Sequence, residues 1–404
     1  MAFEQKKNNS NEHLKRDLKG TVPLLALLTA FPAMSTDMIL PAIPSLAKAW
    51  NQPLSVINLI LVCFFVTFGF FLLLYGPISD RFGRRRPLLF GLSLYIIASF
   101  FCAFASNAPM LILSRMLQAA GAAASSSLSM AMTRDIFSGP ERERILAYTA
   151  VIMALAPMLA PVIGSWVLAD FSWPWIFIIQ ALMGAIGLFG VLRFPETLSS
   201  MSDAPFSKVM HAYGRLMLNP FYLVMVLVMS ASLFPLYSFV AGSSAIYVNE
   251  FGLNEQKYSY FFAFNAFALM VGSFSCLRLR SVLSSRHLIT IGFAGILLGG
   301  FLLLATGKHG PWGFALPMFF ITFSIGLSRP PSNNLVLDQV DRDAGSASSL
   351  LIFSYFTLGA VGMWLISLEW ADKIPVLGAI AFGCGALVLS AWFIVQKKGI
   401  MGTA

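Results

Sequence analysis

The sequence predicts an all-α polytopic membrane protein with twelve transmembrane helices in two parallel six-helix repeats. Three observations carry this: the composition, the spacing of the apolar windows and the placement of Lys and Arg. Of the 404 residues, 57% are apolar, 14% aromatic and only 11% charged, and mean hydropathy is +0.77. Ordinary soluble domains carry about 25% charge. A soluble fold of this size could not hide so much apolar surface from water. Disordered and nucleic-acid-binding chains need far more charge, so no nucleic-acid partner is expected. A span takes about 20 apolar residues, so twelve use roughly 240 and leave roughly 160 for loops and tails. No loop is long enough for a soluble catalytic or nucleotide-binding domain.

Taken in order, the apolar windows fall near 21–44, 55–78, 88–106, 109–133, 145–169 and 174–193, then 219–247, 258–277, 288–306, 313–337, 346–368 and 374–395. They are continuous and do not alternate, which argues against a β-barrel. Residues 1–20 are polar and basic, and the apolar run after them is too long for the core of a cleavable leader. The longest internal loop, 194–218, follows the sixth window. The expected organisation is a tail over 1–20, a bundle over 21–193, a linker over 194–218, a bundle over 219–395 and a tail over 396–404. Two parallel repeats of this kind place a binding site between them.

Orientation follows from the basic residues. With both termini cytoplasmic, 22 of the 27 Lys and Arg fall on the cytoplasmic side. Only Lys48, Lys257, Lys308 and Lys373 fall opposite, and Arg115 lies inside a span. The expected location is the inner (plasma) membrane, multi-pass, with membrane lipid as a partner. Cys63, Cys102, Cys276 and Cys384 are scattered through apolar runs, so neither a disulfide framework nor a Cys-based metal site is expected. No metal and no cofactor is expected, and the histidines lie in tails or loops.

Asp37 is the most telling residue, in a first-span segment that reads SerThrAspMetIleLeuPro. A central acid costs about 2.5–3.5 kcal/mol on insertion scales, so it must be paired, protonated or solvated. One reading is a carboxyl that gains and loses a proton, because desolvation favours the neutral acid and a nearby cation favours the carboxylate. The other is a fixed ion pair joining two helices. Arg115 is the only other charge deep in a span and its natural partner. Helical spacing puts Arg115, Gln118, Ala122, Ser125 and Ser129 on one face, which can line water or pack closely. Two further faces suggest an aromatic-lined cavity: Phe234, Tyr237 and Ser244 in the seventh span, and Tyr258, Phe261 and Asn265 in the eighth. Such a cavity suits amphipathic solutes, although these side chains serve equally well as packing. Arg329-Pro330-Pro331 breaks the tenth span, as a gate or as a kink.

The loop between the second and third spans contains Gly76, Asp80, Arg81, Gly83, Arg84, Arg85 and Arg86. Membrane anchoring explains its arginines but not the acid and the glycines at this spacing. The pattern resembles the signature loop of the major facilitator superfamily. The resemblance implies that Asp80 and Arg84 pair with Asp135, at the end of the fourth span, and with the start of the eleventh helix near Gly345-Ser346. Together they would form a latch that stabilises the outward-facing state. The corresponding loop of the second half, 278–287, lacks the Asp and Gly pattern.

Other segments extend the resemblance. Residues 37–44 look like the first-span motif of drug:proton antiporters with twelve spans, and ArgMetLeuGln (115–118) resembles the fourth-span motif whose Arg is implicated in proton transfer. Residues 156–165 resemble the fifth-span antiporter motif, with Ala160 in place of its usual Gly and with Pro157, Pro161 and Gly164 left to bend the helix. ProGluThrLeu (195–198), PheAlaPheAsnAla (262–266) and AlaGlySerAlaSerSerLeu (344–350) are closest to the Bcr/CflA group, which exports drugs and small metabolites.

Neither a filter repeat nor rings of like charge mark a channel. No nucleophile–base pair or metal cluster in the spans marks an enzyme. A receptor would have no reason to keep Asp37 with Arg115. The expectation is a monomeric, proton-coupled secondary exporter that moves small organic molecules by alternating access, coupled through Asp37 and Arg115. The alternatives are an exporter of one metabolite, such as a siderophore, nucleoside or amino acid, and an importer.

Overall fold

The computed structural model describes residues 21–201, 206–340 and 343–397. The expected tail at 1–20, residues 398–404 of the expected C-terminal tail, and Arg342 of the basic count lie outside the described residues. Twelve long helices, and no strands, occur among the described residues: α1 Thr21–Ala49, α2 Leu54–Phe82, α3 Arg85–Ala103, α4 Ala108–Ile136, α5 Gly139–Asp170, α6 Pro174–Leu192, α7 Pro220–Glu250, α8 Glu255–Leu279, α9 Ser285–Thr306, α10 Pro311–Leu337, α11 Ala344–Ser367 and α12 Lys373–Lys397. The linker read as a loop contains one more helix, Phe206–Leu218.

Eleven of the twelve are apolar enough to cross a membrane on composition alone, and α4 is the exception. Its Ala, Ser and Gly residues line a helix enclosed by α1, α2 and α3, with Arg115, Gln118, Ser125 and Ser129 all buried. A helix wrapped by protein has no need of lipophilic side chains, and small ones let neighbours approach closely.

The halves are packed alike. In the first, α4 packs on α2 and α3, α3 on α6, and α1 on α5; in the second, α10 packs on α8 and α9, α9 on α12, and α7 on α11. The two sets meet along α2–α11 and α5–α8, contacts that interchange when every helix is advanced by six. Successive helices alternate in direction. Lys48, Lys257, Lys308 and Lys373 therefore fall at one end, and Arg81, Arg84, Arg85, Arg86 and Arg134 at the other, called here the basic end.

The prolines leave their mark without ending most helices. Pro41 has no N–H to give to the carbonyl four residues back, that of Asp37, and α1 loses its regular winding after Asp37 before resuming at Ile43–Ala49. The repeat-related α7 loosens to a π-wound turn at Ala245–Glu250. By contrast α10 runs unbroken through Pro317, Pro330 and Pro331, so the expected break at Arg329-Pro330-Pro331 does not occur. Pro330 frees the Gly326 carbonyl, and Ser273 of α8 donates to it at 3.3 Å, the kind of repair by a neighbour that keeps a proline-bearing span intact. Helix α5 is likewise continuous through Pro157 and Pro161.

Candidate functional site

Asp37 sits where α1 breaks, 6% exposed, and accepts a hydrogen bond from Thr36 Oγ1 at 2.9 Å. Gly164 of α5 lies against the backbone of Met38, the residue after it, where a Cβ would collide with the Met38 carbonyl. The glycine expected to bend α5 thus lets α5 close onto the break that presents the acid.

Arg115 is fully buried on α4. The expected pairing with Asp37 is not formed: no ion pair joins them. Arg115 Nη1 donates to Gln118 Oε1 at 2.5 Å, and the guanidinium lies 4.2 Å from the centre of the Phe64 ring. An aromatic face and an amide oxygen stabilise the cation without a carboxylate. Gln118 is spent in the same network, its Nε2 donating to Ser99 and to Gln180, and Gln180 donates in turn to the Met34 carbonyl at 3.1 Å. Arg115 Nε and Nη2, however, have no partner. The guanidinium keeps two buried donors unspent, within a bundle that also holds a buried carboxyl.

The aromatic residues divide. Tyr237 crosses between the halves: its ring lies 5.2 Å from Phe65 of α2, and Phe356 of α11 meets Phe65 at 5.2 Å and Phe68 at 4.9 Å. Phe234 stays near it on α7, against Gly362 of α11. Most hydrogen bonds and ring contacts of the eighth-span face fall in its own half, although Tyr258 is also within electrostatic reach of Asp37. Tyr258 bonds Ser243, Phe261 stacks on Tyr247 and meets Trp312, and Asn265 accepts from Thr322 at 3.0 Å. Phe261 and Asn265 pack inside the second bundle, because α8 presents them to α7 and α10. Ser125 bonds its own helix at Ala122, and Ser244 is buried without a partner. Phe64, Phe65, Phe68 and Phe356 escaped sequence reasoning because 37 phenylalanines hide any one cluster.

At the basic end Arg84 leaves no buried donor without a partner, where Arg115 leaves two. Its Nη1 reaches Asp80 at 2.5 Å and Ser79 at 2.6 Å, and its Nε reaches Asp135 at 2.9 Å. Burial works against the Arg84 charge, but its bonds to Asp135 and Asp80 outweigh that and hold the guanidinium above its usual range. Arg81 points out over Phe82, and no neighbour crowds Gly76. Gly83 has φ +86° and lies against the Glu196 carboxylate, which leaves no room for a side chain. Glu196, quoted above only as part of a motif, accepts from the backbone N–H groups of Arg84, Arg85, Thr197 and Leu198 at 2.8–3.1 Å. Arg85 returns the contact, donating to Val191 and Leu192 carbonyls at the end of α6. The part of the expected latch that would reach α11 is not seen. Asp80 bonds Arg84, with its side chain 52% exposed, while Asp343 before α11 pairs with Arg215 of the linker helix at 2.6 Å. Polar contacts between the halves lie at the opposite end, where Asn58 donates to Ser367 and to the Ala241 carbonyl, and Ser165 bonds Ser259.

The sequence profile of the Major Facilitator Superfamily matches residues 25–363. The chain belongs to the major facilitator superfamily. It is a multi-pass membrane transporter and not an enzyme. Among relatives in this superfamily, it is 29% identical over 384 residues to the uncharacterized MFS-type transporter YdgK of Bacillus subtilis (strain 168), covering 93% of this chain and 95% of that one. It is 26% identical to a bicyclomycin resistance protein homolog of Haemophilus influenzae, covering 93% and 96%. It is 25% identical to the multidrug resistance protein MdtL of Citrobacter koseri, covering 92% and 94%. The fold is shared with a D-xylose-proton symporter (TM-score 0.74, 15% identity, 93% and 96% covered) and with a point mutant of the nucleoside transporter NupG (TM-score 0.72, 12% identity, 93% and 99% covered).

Proposed function

We propose that this superfamily member is a proton-coupled antiporter that exports small organic molecules, drugs or metabolites, across the inner membrane. On this reading it works as a monomer, needs no cofactor beyond the proton gradient, and keeps both termini in the cytoplasm. The observation that carries it is a carboxyl and a guanidinium buried in one bundle without pairing: Asp37 at the break of α1, and Arg115 with Nε and Nη2 unspent. In the alternate state Arg115 turns its free donors to Asp37 and favours the carboxylate; in this one it rests on Phe64 and leaves Asp37 to take a proton. Proton and substrate then compete through Asp37, as antiport requires. Each unit of difference in proton affinity between states supplies about 1.4 kcal/mol of coupling. The aromatic contacts of Tyr237 with Phe65 and Phe356, which bridge the halves, suit the ring systems of amphipathic organic solutes. Relatives named for bicyclomycin and multidrug resistance support the direction of transport.

The test is proton release from detergent-purified protein on addition of compounds from a panel. Wild type should release protons with its substrates, and Asp37→Asn should release none even where binding survives. Release from Asp37→Asn at the wild-type level would place the coupling group elsewhere.

A further inference from the structure

The linker helix Phe206–Leu218 has no part in this proton cycle, yet it is tied to both halves. Ala212, Tyr213 and Leu216 are buried against the bundle. Tyr213 Oη donates to the Leu73 carbonyl of α2 at 3.0 Å. That carbonyl is available because the residue four positions on is Pro77, inside α2, which has no N–H to give it. Two residues further along the linker helix, Arg215 pairs with Asp343 before α11. The helix is thus a strap across α2 and α11, the pair along which the halves meet.

A second flank of the strap is exposed. Phe206, Met210 and Met217 are four and seven residues apart and share a face, and all three are exposed, at 39%, 39% and 57%. Lys208, His211 and Arg215 are exposed on the side opposite. An apolar stripe backed by a basic face is the pattern of a helix lying in the membrane interface. The level of the strap is fixed by its neighbour. Only Asn219 separates it from α7, and Asn219 Oδ1 accepts from the first N–H groups of that span, Phe221 and Tyr222. The strap therefore leaves the bundle at the mouth of a span, at the end where Arg81, Arg84, Arg85, Arg86 and Arg134 gather.

We propose that the partner of this face is the anionic headgroup layer of the bilayer at the basic end. Phe206, Met210 and Met217 sink among the acyl chains, and Lys208 and the outward edge of Arg215 meet the phosphates. Because the same helix grips α2 through Tyr213 and α11 through Arg215, the lipid surface steadies the basic-end approach of the two halves.

The experiment uses the full chain in vesicles, with the four native cysteines replaced and one nitroxide-labelled cysteine introduced at a time. Labels on Phe206→Cys, Met210→Cys and Met217→Cys should collide with oxygen and be shielded from a water-soluble nickel chelate. Labels on Lys208→Cys and His211→Cys should show the reverse. A label pair on the basic ends of α2 and α11 should give a narrower distance distribution in phosphatidylglycerol-rich vesicles than in phosphatidylcholine. Lys208→Gln should weaken that narrowing. Tyr213→Phe keeps the stripe and its depth but should lose the narrowing. Equal nickel access at all five positions would put the stripe in water and make it a docking face for a protein. Correct depth with identical distances in both lipids would remove the role of the headgroup charge. None of these readings needs transport, so they stand or fall separately from the antiport mechanism.

Discussion

Arg84 and Arg115 are both buried arginines in the first bundle, and the protein treats them oppositely. Arg84 is gripped by two carboxylates and a hydroxyl, those of Asp80, Asp135 and Ser79. Arg115, more deeply buried, has one amide oxygen, an aromatic face and two idle donors. A guanidinium gripped by two carboxylates fixes a geometry. One held by a ring face, with donors left over, can change partners at low cost. The first is how a fold builds a clamp, and the second is how it builds a switch.

The sharpest way to break this comparison is to remove each charge and read stability and transport together. Arg84→Met strands Asp80 and Asp135. Removing one partner of a fully buried pair costs about 3–5 kcal/mol, and partial exposure of Asp80 brings the expected loss to about 2 kcal/mol. Arg115→Met strands the Gln118 oxygen but no carboxylate at hydrogen-bonding range, and it relieves an under-paired buried cation, so the opposing effects should leave thermal unfolding changed by no more than about 1 kcal/mol. Substrate-induced proton release should nevertheless vanish in Arg115→Met. Equal destabilisation by the two substitutions would mean that Arg115 is a structural residue. Arg115→Lys sharpens the same point, because lysine keeps the charge but loses the flat fork. It should retain transport, with a pH optimum shifted or a rate lowered by about tenfold, the equivalent of about 1.4 kcal/mol. A wild-type pH profile in that variant would remove Arg115 from the coupling.

A smaller effect is expected at the opposite end, where Asn58 ties α2 to α7 and α11. Its two hydrogen bonds are worth about 1 kcal/mol each, so Asn58→Ala should shift the balance between outward and inward states roughly five- to thirty-fold and leave folding intact. Spin-label distances across that end measure the shift, and an unchanged distribution would exclude Asn58 as a tie.

What the sequence could and could not show follows from where information is stored. The fold was legible because lipid imposes apolar windows and one-sided basic loops, and even α4, the least apolar of the twelve, still read as an apolar window at 109–133. Asp37 and Arg115 were legible because a charge inside a span is rare. Their separation was not, since it depends on how the Phe64 ring and Gln118 compete for one guanidinium in three dimensions. Phe261 and Asn265 show the same limit: helical spacing gives a shared face but not the neighbours it turns toward, which for these two are α7 and α10. The continuity of α10 through Pro330 was illegible because the repair comes from Ser273 of another helix.

Glu196 gives the finest test of the clamp. Burial pushes its carboxyl up, but the backbone N–H groups of Leu198, Arg84, Arg85 and Thr197 outweigh that and hold it below the usual carboxylate range. A group whose proton affinity is depressed by folding contributes stability above its unfolded value, about 4.3 for Glu, and loses it as pH falls through the folded value. At neutral pH the carboxylate caps the start of α3 while Arg85 caps the end of α6, so each element holds the other. Glu196→Gln keeps one acceptor oxygen and loses the charge that strengthens those bonds. The variant should therefore melt below wild type at neutral pH, and the two melting curves should converge as the pH is lowered past the ordinary glutamate range. The Gly83 turn should loosen with it, since the carboxylate occupies the space where that glycine would carry a side chain. A gap between the curves that stays constant down to the acid limit would show that shape, and not charge, makes the Glu196 contact, and would leave Arg84 alone as the electrostatic centre of the clamp.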